Sequence, residues 1–221
     1  AALFMVVAKT LLKNRTRSSI SAAQAFTDAN EGLCQDNYHD MFVTAWMGVL
    51  TLSTGRLVFV NAGHTRPLLR QKDGSYTYLT ERSGLVLAGM EHTQYTQQEL
   101  YLAPGDALFL YTDGVTEAND ARQRLYGEER LSQVLNKEPD LPPEEVLNAV
   151  WEDVMLYQKE TEQFDDITML ALCYNGNGFR KRTGKPDMAD IQEWNRFVDE
   201  ILEEKHFPQK ETAKIRIAVD E

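Results

Sequence analysis

The chain has 221 residues, of which 43% are hydrophobic, and its formal net charge is −11. This composition is typical of a globular protein and excludes a disordered or fibrous chain. The excess of acids argues against binding nucleic acid or an anionic membrane surface, since both need clustered cations. Two cysteines without a CxxC pair, and no apolar run of about 18 residues, predict a cytoplasmic protein without disulfides or membrane contact.

The N-terminal part of the chain predicts two helices. It opens on Ala-Ala-Leu-Phe-Met, inside an apolar stretch and without an initiator Met, so we expect a fragment of a larger protein. Helical spacing of apolar residues predicts a helix over residues 1–14. A second helix is expected from Ser18 or Ser21 to Glu31, with Gly32 just beyond its end.

Strand patterns dominate the middle of the chain. Segments rich in Val, Thr and aromatic residues, separated by turn signals, predict three hairpins: 41–52 with 56–61, 67–70 with 76–79, and 96–102 with 107–111. Helices are expected over 128–135 and from Pro142-Pro143 onward, where acids occupy the first turn. A buried strand is then predicted over 167–174.

The C-terminal part has a different composition. Residues 175–186 contain three glycines and four cations without an acid, which predicts a linker. Apolar residues between Ile191 and Leu202 follow helical spacing, and a further helix is expected near Glu211. Residues 187–221 therefore form a short helical extension in this interpretation.

Two pairs of residues at predicted strand ends could carry chemistry. Asp113-Gly114 directly follows a buried strand, and Asp165-Asp166 directly precedes one. Carboxylates held at strand ends could bind a hard divalent cation such as Mg²⁺ or Mn²⁺. Each pair taken alone is more typical of a plain turn or a solvated loop than of a metal site.

A third segment, Asn61-Ala62-Gly63-His64, also follows a predicted strand. Its polar side chains could meet a phosphate, or the segment could be a tight connection with a satisfied His. Cys34 and Cys173 lack a cationic context, so both are expected to be packing residues and not nucleophiles.

Five segments together resemble the metal-dependent protein phosphatase (PP2C-like) superfamily, in its bacterial SpoIIE/RsbU-like branch of serine phosphatases. They occur in the family's order across residues 1–174. The matching segments are Ala1-Ala2-Leu3-Phe4-Met5, Asn61-Ala62-Gly63-His64, Leu102-Ala103-Pro104-Gly105-Asp106, Tyr111-Thr112-Asp113-Gly114-Val115-Thr116-Glu117-Ala118 and Phe164-Asp165-Asp166-Ile167-Thr168.

The resemblance implies an α+β fold, an αββα four-layer sandwich, with a site for two Mn²⁺ or Mg²⁺ ions. It assigns Asp113, Gly114, Asp165 and Asp166 to the metal site. Asp113 and Asp165 are the catalytic ligands there, and Asp166 orients more than it ligates. Asn61, Gly63 and His64 match the substrate-binding loop beside the site.

The family's Gly-Asp-x-Ser-Gly-His-Gly segment, which supplies a bridging Asp, would lie upstream of Ala1. We therefore expect an N-terminally truncated phosphatase domain over 1–174 that is inactive as a fragment. The implied activity is removal of phosphate from the serine of a STAS-type anti-sigma-factor antagonist in a stress-response pathway. A non-catalytic regulatory or dimerisation module is the alternative, and a two-metal nuclease is a third possibility that the acidic charge disfavours.

The tail resembles the start of an anti-sigma-factor serine kinase of the GHKL ATPase family. The resemblance covers Trp194 to Glu221 and ends on Ile-Arg-Ile-Ala-Val-Asp-Glu. Glu221 then corresponds to the first residue of an ATP-site motif. An ordinary pair of amphipathic helices is an equally good interpretation of the local pattern.

Overall fold

The computed structural model of the chain describes residues 2–18, 21–35, 37, 41–71, 74–81, 83–159, 161 and 165–176. The chain divides into two units, Ala1–Gly178 and Phe179–Glu221, and every described residue belongs to the first. The predictions for 187–221, for Glu221 and for most of the 175–186 linker lie outside the described residues. No helix of the described part is long and apolar enough to cross a membrane.

The elements follow the predicted order. The helices are α1 (Ala2–Ser18), α2 (Ala22–Gln35), α3 (Asp113–Thr116), α4 (Gly127–Lys137) and α5 (Pro143–Gln158). The strands are β1 (Ala45–Thr51), β2 (Arg56–Ala62), β3 (Leu68–Arg70), β4 (Tyr76–Tyr78), β5 (Gln98–Tyr101), β6 (Ala107–Tyr111) and β7 (Met169–Cys173).

The strands form two antiparallel sheets that are covered by helices on their outer faces. One sheet has the order β1-β2-β5 and the other β4-β3-β6-β7. Helix α2 packs on β2 and against α1, while α4 and α5 pack on the second sheet. The predicted αββα four-layer sandwich is therefore confirmed.

Each interface between layers has its own apolar core. Leu57 and Phe59 on β2 and Leu108 on β6 pack between the two sheets. The alternate residues on the same strands, Val60 and Phe109, pack against the helices instead. Because side chains alternate across a strand, a central strand covered on both faces must be apolar throughout.

The predicted hairpin of 96–102 with 107–111 is wrong. Strand β5 pairs with β2, whereas β6 pairs with β3 and β7 in the other sheet. The connecting turn bonds to both sheets: the amide of Leu102 donates to Gly55 and that of Gly105 to Tyr174. The Asp106 carboxylate caps the turn by accepting from the amide of Ala103 at 2.8 Å.

One helix prediction and one interpretation of a turn also need correction. Helix α2 does not end before Gly32 but continues to Gln35, which keeps Leu33 buried. Gly32 faces Leu11 of α1, whose side chain is 3.7 Å from the position of an added Cβ. Asp113 begins the short helix α3 and not a simple turn.

Candidate active site

The candidate site lies where several strands begin or end at one edge of the sandwich. Strands β6 and β7 are antiparallel neighbours, and the register pairs Tyr111 with Met169. This pairing brings the residues just after β6 next to those just before β7. The two Asp motifs are separated by about fifty positions in the sequence, and the sheet register brings them together.

A cleft of about 700 Å³ opens at this edge. Its polar lining contains Asp113, Asp165, Asp166 and His64, and its apolar lining comes from α1 and from the segment before β1. The lining residues are Phe4, Met5, Met41, Phe42, Val43, Thr44, His64, Thr112, Asp113, Asp165, Asp166 and Thr168.

Gly114 allows the two Asp motifs to approach each other. A Cβ at Gly114 would lie 2.5 Å from the carbonyl oxygen of Asp166 and 3.4 Å from that of Asp165. The first distance is shorter than any ordinary contact, so a side chain there would push the loops apart. The carboxylate of Asp165 is oriented locally, because its Oδ1 accepts from the amide of Asp166 at 2.7 Å.

Thr112 joins the end of β6 to the loop before β7. Its hydroxyl donates to the carbonyl of Asp166 at 3.0 Å and accepts from the amide of Thr168 at 2.9 Å. Its own amide donates to the carbonyl of Thr168. Thr112 therefore fixes the backbone on which both Asp motifs are carried.

The loop after β2 places His64 at the cleft. The amide of His64 donates to Oδ1 of the buried Asn61 at 2.8 Å, and Gly63 adopts a φ of +70°. A hydrogen bond of 3.1 Å joins His64 Nδ1 to the hydroxyl of Thr44. Burial lowers the pKa of His64, and the nearby Asp113 carboxylate acts in the opposite direction.

The structure brings together some of the predicted site residues and separates others. Asp113, Asp165, Asp166 and His64 share the cleft. Asn61 and Gly63 shape the loop that carries His64, and Gly114 lies against Asp165 in a smaller cavity. The sequence reasoning missed Thr112, Thr44 and the apolar wall of Met5 and Phe42, which are 60% and 62% exposed.

The donors in the cleft suit a divalent cation in chemistry, because carboxylate oxygens are the ligands that Mg²⁺ and Mn²⁺ prefer. The close contact between Gly114 and the backbone of Asp166 keeps the carboxylates of the two Asp motifs at the same edge of the sandwich. Within the described ranges, however, no group of three or more His, Cys, Asp or Glu side chains could hold an ion. The described residues thus fit part of a metal site.

Solved structures of similar fold share this architecture. The chain is similar to the RsbU and RsbW domains of a Mycobacterium tuberculosis protein, with a TM-score of 0.68, 21% identity, and coverage of 98% of this chain and 60% of that one. The SiaA PP2C domain of Pseudomonas aeruginosa has a TM-score of 0.66 and 20% identity, and the match covers 78% of this chain and 68% of that one. The SpoIIE phosphatase domain of Bacillus subtilis has a TM-score of 0.56 and 16% identity, and the match covers 79% of this chain and 76% of that one.

Curated relatives are longer than this chain. Protein IcfG of Synechocystis is 31% identical over 135 residues, which are 61% of this chain and 21% of that protein. The phosphoserine phosphatase RsbU of Bacillus subtilis is 25% identical over 173 residues, which are 78% of this chain and 51% of that protein. The family Stage II sporulation protein E (SpoIIE) matches residues 1–175, so the chain belongs to the SpoIIE family.

Proposed function

We propose that the protein is a metal-dependent serine/threonine phosphatase that removes phosphate from a protein in a sigma-factor regulatory switch. The observation that carries this proposal is the cleft that Asp113, Asp165 and Asp166 line within a SpoIIE-family fold. The Bacillus subtilis relative is named a phosphoserine phosphatase, which supports the same reaction.

Asp113 and Asp165 are the proposed metal ligands, with Asp166 orienting the second motif. The similar protein RsbX has been solved in complex with magnesium, which supports a divalent cation. Bound Mn²⁺ or Mg²⁺ ions supply a nucleophile at neutral pH and neutralise the charge of the phosphoryl group. Neither Cys34 nor Cys173 lines the cleft, so the chain offers no thiol for a covalent intermediate there.

The other residues of the cleft have binding and positioning roles in this proposal. Thr112 holds the two Asp motifs at a fixed separation through its hydrogen bonds. His64, which is held by Thr44 and Asn61, contacts the phosphoserine side of the substrate. The exposed rings and thioethers of Phe42 and Met5 pack on the substrate and exclude water around the phosphate.

The proposed substrate is a phosphorylated STAS-type antagonist of an anti-sigma factor. Residues 1–174 then form the phosphatase domain, 175–186 a linker and 187–221 the start of a GHKL-type kinase-like domain with Glu221 in its ATP site. The similar Mycobacterium tuberculosis structure contains RsbU and RsbW domains and covers 98% of this chain, which supports the presence of both domain types in one chain. A homodimer is a further possibility that this arrangement allows.

A non-catalytic module that binds the antagonist is the second candidate. It is favoured by one observation, that the described residues supply no group of three potential metal-binding side chains. A nuclease is disfavoured, because the described lining of the cleft contains neither Lys nor Arg to bind a nucleic-acid backbone.

Activity of the full-length protein separates these candidates. We expect Mn²⁺-dependent hydrolysis of p-nitrophenyl phosphate and of a phosphoserine protein, and a fall in kcat of about 100-fold or more in Asp113→Asn and Asp165→Asn. Glu145→Gln, an exposed residue of α5, is the matched control and should retain activity. Near-wild-type turnover in either Asp variant contradicts the proposed site, and antagonist binding without any hydrolysis favours the non-catalytic module.

A further inference from the structure

A second concave surface lies beside the carboxylate cleft, between the loop after α3 and the end of α5. We call it the basic groove, and its volume is about 620 Å³. It is lined by Asp120, Ala121, Arg122, Arg124, Arg130, Leu156, Tyr157, Gln158 and Lys159.

The charge of the basic groove is opposite to that of the protein. Four cations and one acid line it, while the whole chain has a net charge of −11. Arg124 pairs with Asp120, and Arg130 pairs with Asp153. Among the described residues neither Arg122 nor Lys159 forms an ion pair, and both side chains are exposed.

Hydrogen bonds hold the groove in shape. The Oδ1 atom of Asp120 accepts from the amides of Arg122 and Arg124 at 2.9 and 3.0 Å. The hydroxyl of Tyr157 lies 3.1 Å from the carbonyl oxygens of both Arg124 and Leu125 and shares its one hydrogen between them. The loop is therefore attached to α5, and little order has to be gained when a ligand binds.

Two residues at the groove adopt backbone conformations that side chains disfavour. Gln123 has a φ of +60° and Lys159 a φ of +51°. Such conformations cost free energy and persist only where the surrounding contacts enforce them. Here they bend the chain so that Arg122 and Arg124 on the loop and Lys159 after α5 line the same groove.

The basic groove is adjacent to the candidate active site. Gln158 lines the groove and also lines a small cavity with Gly114 and Asp165. Asp165 in turn lines the carboxylate cleft. The groove and the cleft are therefore linked through the residues that line this small cavity.

We propose that the basic groove binds an acidic segment of the protein substrate, next to the phosphoserine that enters the cleft. The identity of this partner rests on the proposed phosphatase function, while the preference for an acidic segment rests on the groove itself. Charge complementarity of this kind raises the association rate and selects partners more than it adds affinity.

An acidic protein segment fits this surface better than a nucleic acid. A nucleic-acid backbone needs a long track of cations, and the overall charge of −11 repels such a polyanion. The groove instead offers two exposed cations together with the apolar side chain of Leu156 and the ring of Tyr157. This mixture suits a short segment that combines acids with an apolar or aromatic residue.

Charge reversal tests the proposal on the full-length protein. The groove variant is Arg122→Glu/Lys159→Glu, and the control is Lys9→Glu/Lys13→Glu on the exposed face of α1, which changes the net charge equally. The first measurement is fluorescence anisotropy with a labelled, unphosphorylated peptide rich in Glu, beside a peptide in which Gln replaces every Glu. The second is kcat/KM for phosphoserine versions of the two peptides.

We expect the wild type and the control to bind the acidic peptide, and the groove variant to bind it about tenfold more weakly. Binding should weaken as NaCl rises from about 0.01 M to about 0.15 M, and the groove variant should lose the preference in kcat/KM for the acidic phosphopeptide. Equal binding by wild type and groove variant overturns the proposal, as does tighter binding of an RNA oligonucleotide. Absence of hydrolysis with intact peptide binding contradicts the phosphatase function alone.

Discussion

At the scale of single residues, Gly114 is required because of the backbone opposite it. An added Cβ would meet the carbonyl oxygen of Asp166 at 2.5 Å, and backbone cannot move aside as a flexible side chain can. We expect Gly114→Ala to lower the free energy of unfolding by about 1–3 kcal/mol and to weaken Mn²⁺ binding. Urea denaturation and titration calorimetry measure the two effects.

Gly32→Ala is the matched control for that substitution. The added Cβ would make ordinary contact with Leu11 at 3.7 Å, and Gly32 lies inside α2. Because alanine restricts the unfolded chain and favours a helix, we expect stability to rise by about 0.5–1 kcal/mol. A destabilised Gly32→Ala together with a neutral Gly114→Ala would contradict the steric argument.

The two cysteines provide a test of the chemistry. Cys34 lies on α2 and Cys173 on β7, and burial raises the pKa of Cys34 further from the reactive range. We expect Cys34→Ala and Cys173→Ala to keep the phosphatase activity of the full-length protein. Mass spectrometry that trapped a phosphocysteine during turnover would contradict a mechanism without a thiol.

The family resemblance, and not single-residue signals, predicts the acidic part of the candidate site. Asp113 follows a buried strand and Asp165 precedes one, but each motif alone favours a plain turn or a solvated loop, and only the five segments together assign both to a metal site. Met5 and Phe42 carry no such local signal, since they are apolar residues in apolar segments. Only the position of α1 and of the segment before β1 at the edge of the cleft makes them part of its lining.

At the scale of elements, a polar cluster links α4 to α5. Arg130 on α4 donates to both carboxylate oxygens of Asp153 on α5 at 2.7 and 3.0 Å, and Tyr126 donates to the same group. The Arg130 guanidinium also lies over the rings of Tyr126 and Tyr157. These contacts fix the helix pair that supports the basic groove.

This cluster predicts a dependence of stability on pH. The Arg130 hydrogen bonds hold the pKa of Asp153 below its usual 3.8. The stabilisation is therefore present above that value and is lost as the pH falls through the lowered pKa. We expect Asp153→Asn to be less stable than wild type at pH 7, and the difference to shrink below about pH 4. If the difference in stability between wild type and Asp153→Asn grew as the pH fell, the proposed pH dependence would be wrong.

Element types were largely predictable from the sequence, and strand partners were not. The pattern of 96–102 and 107–111 around Ala-Pro-Gly-Asp is that of a hairpin. The carbonyls of Gly55 and Tyr174 bind the amides of Leu102 and Gly105, and these contacts come from distant parts of the chain. A local sequence pattern contains no information on such distant contacts. The sequence therefore does not predict that the chain crosses from one sheet to the other between β5 and β6.

At the scale of the whole molecule, all residues of the three apolar cores belong to the first unit, Ala1–Gly178. The helix–sheet cores and the core between the sheets are built from α1 to β7, and Tyr174 completes the last of them. The hydroxyl of Tyr174 donates to the carbonyl of Leu52 at 2.8 Å, so the end of the unit is fastened to its opposite sheet. The site is thus a product of complete layers and not of one motif.

Because the three cores lie within the first unit, we can predict the effect of removing the C-terminal part of the chain. We expect a variant of the protein that is truncated after Gly178 to keep its far-UV circular dichroism and its unfolding midpoint. The reason is that the unit Ala1–Gly178 contains every layer of the sandwich. A matched truncation after Leu170 removes three of the five residues of β7 and three of its five pairs with β6, so it should lose cooperative unfolding. If ending the chain after Gly178 abolished the thermal transition as the shorter truncation does, the sandwich would depend on Phe179–Glu221 and the division into units would be wrong.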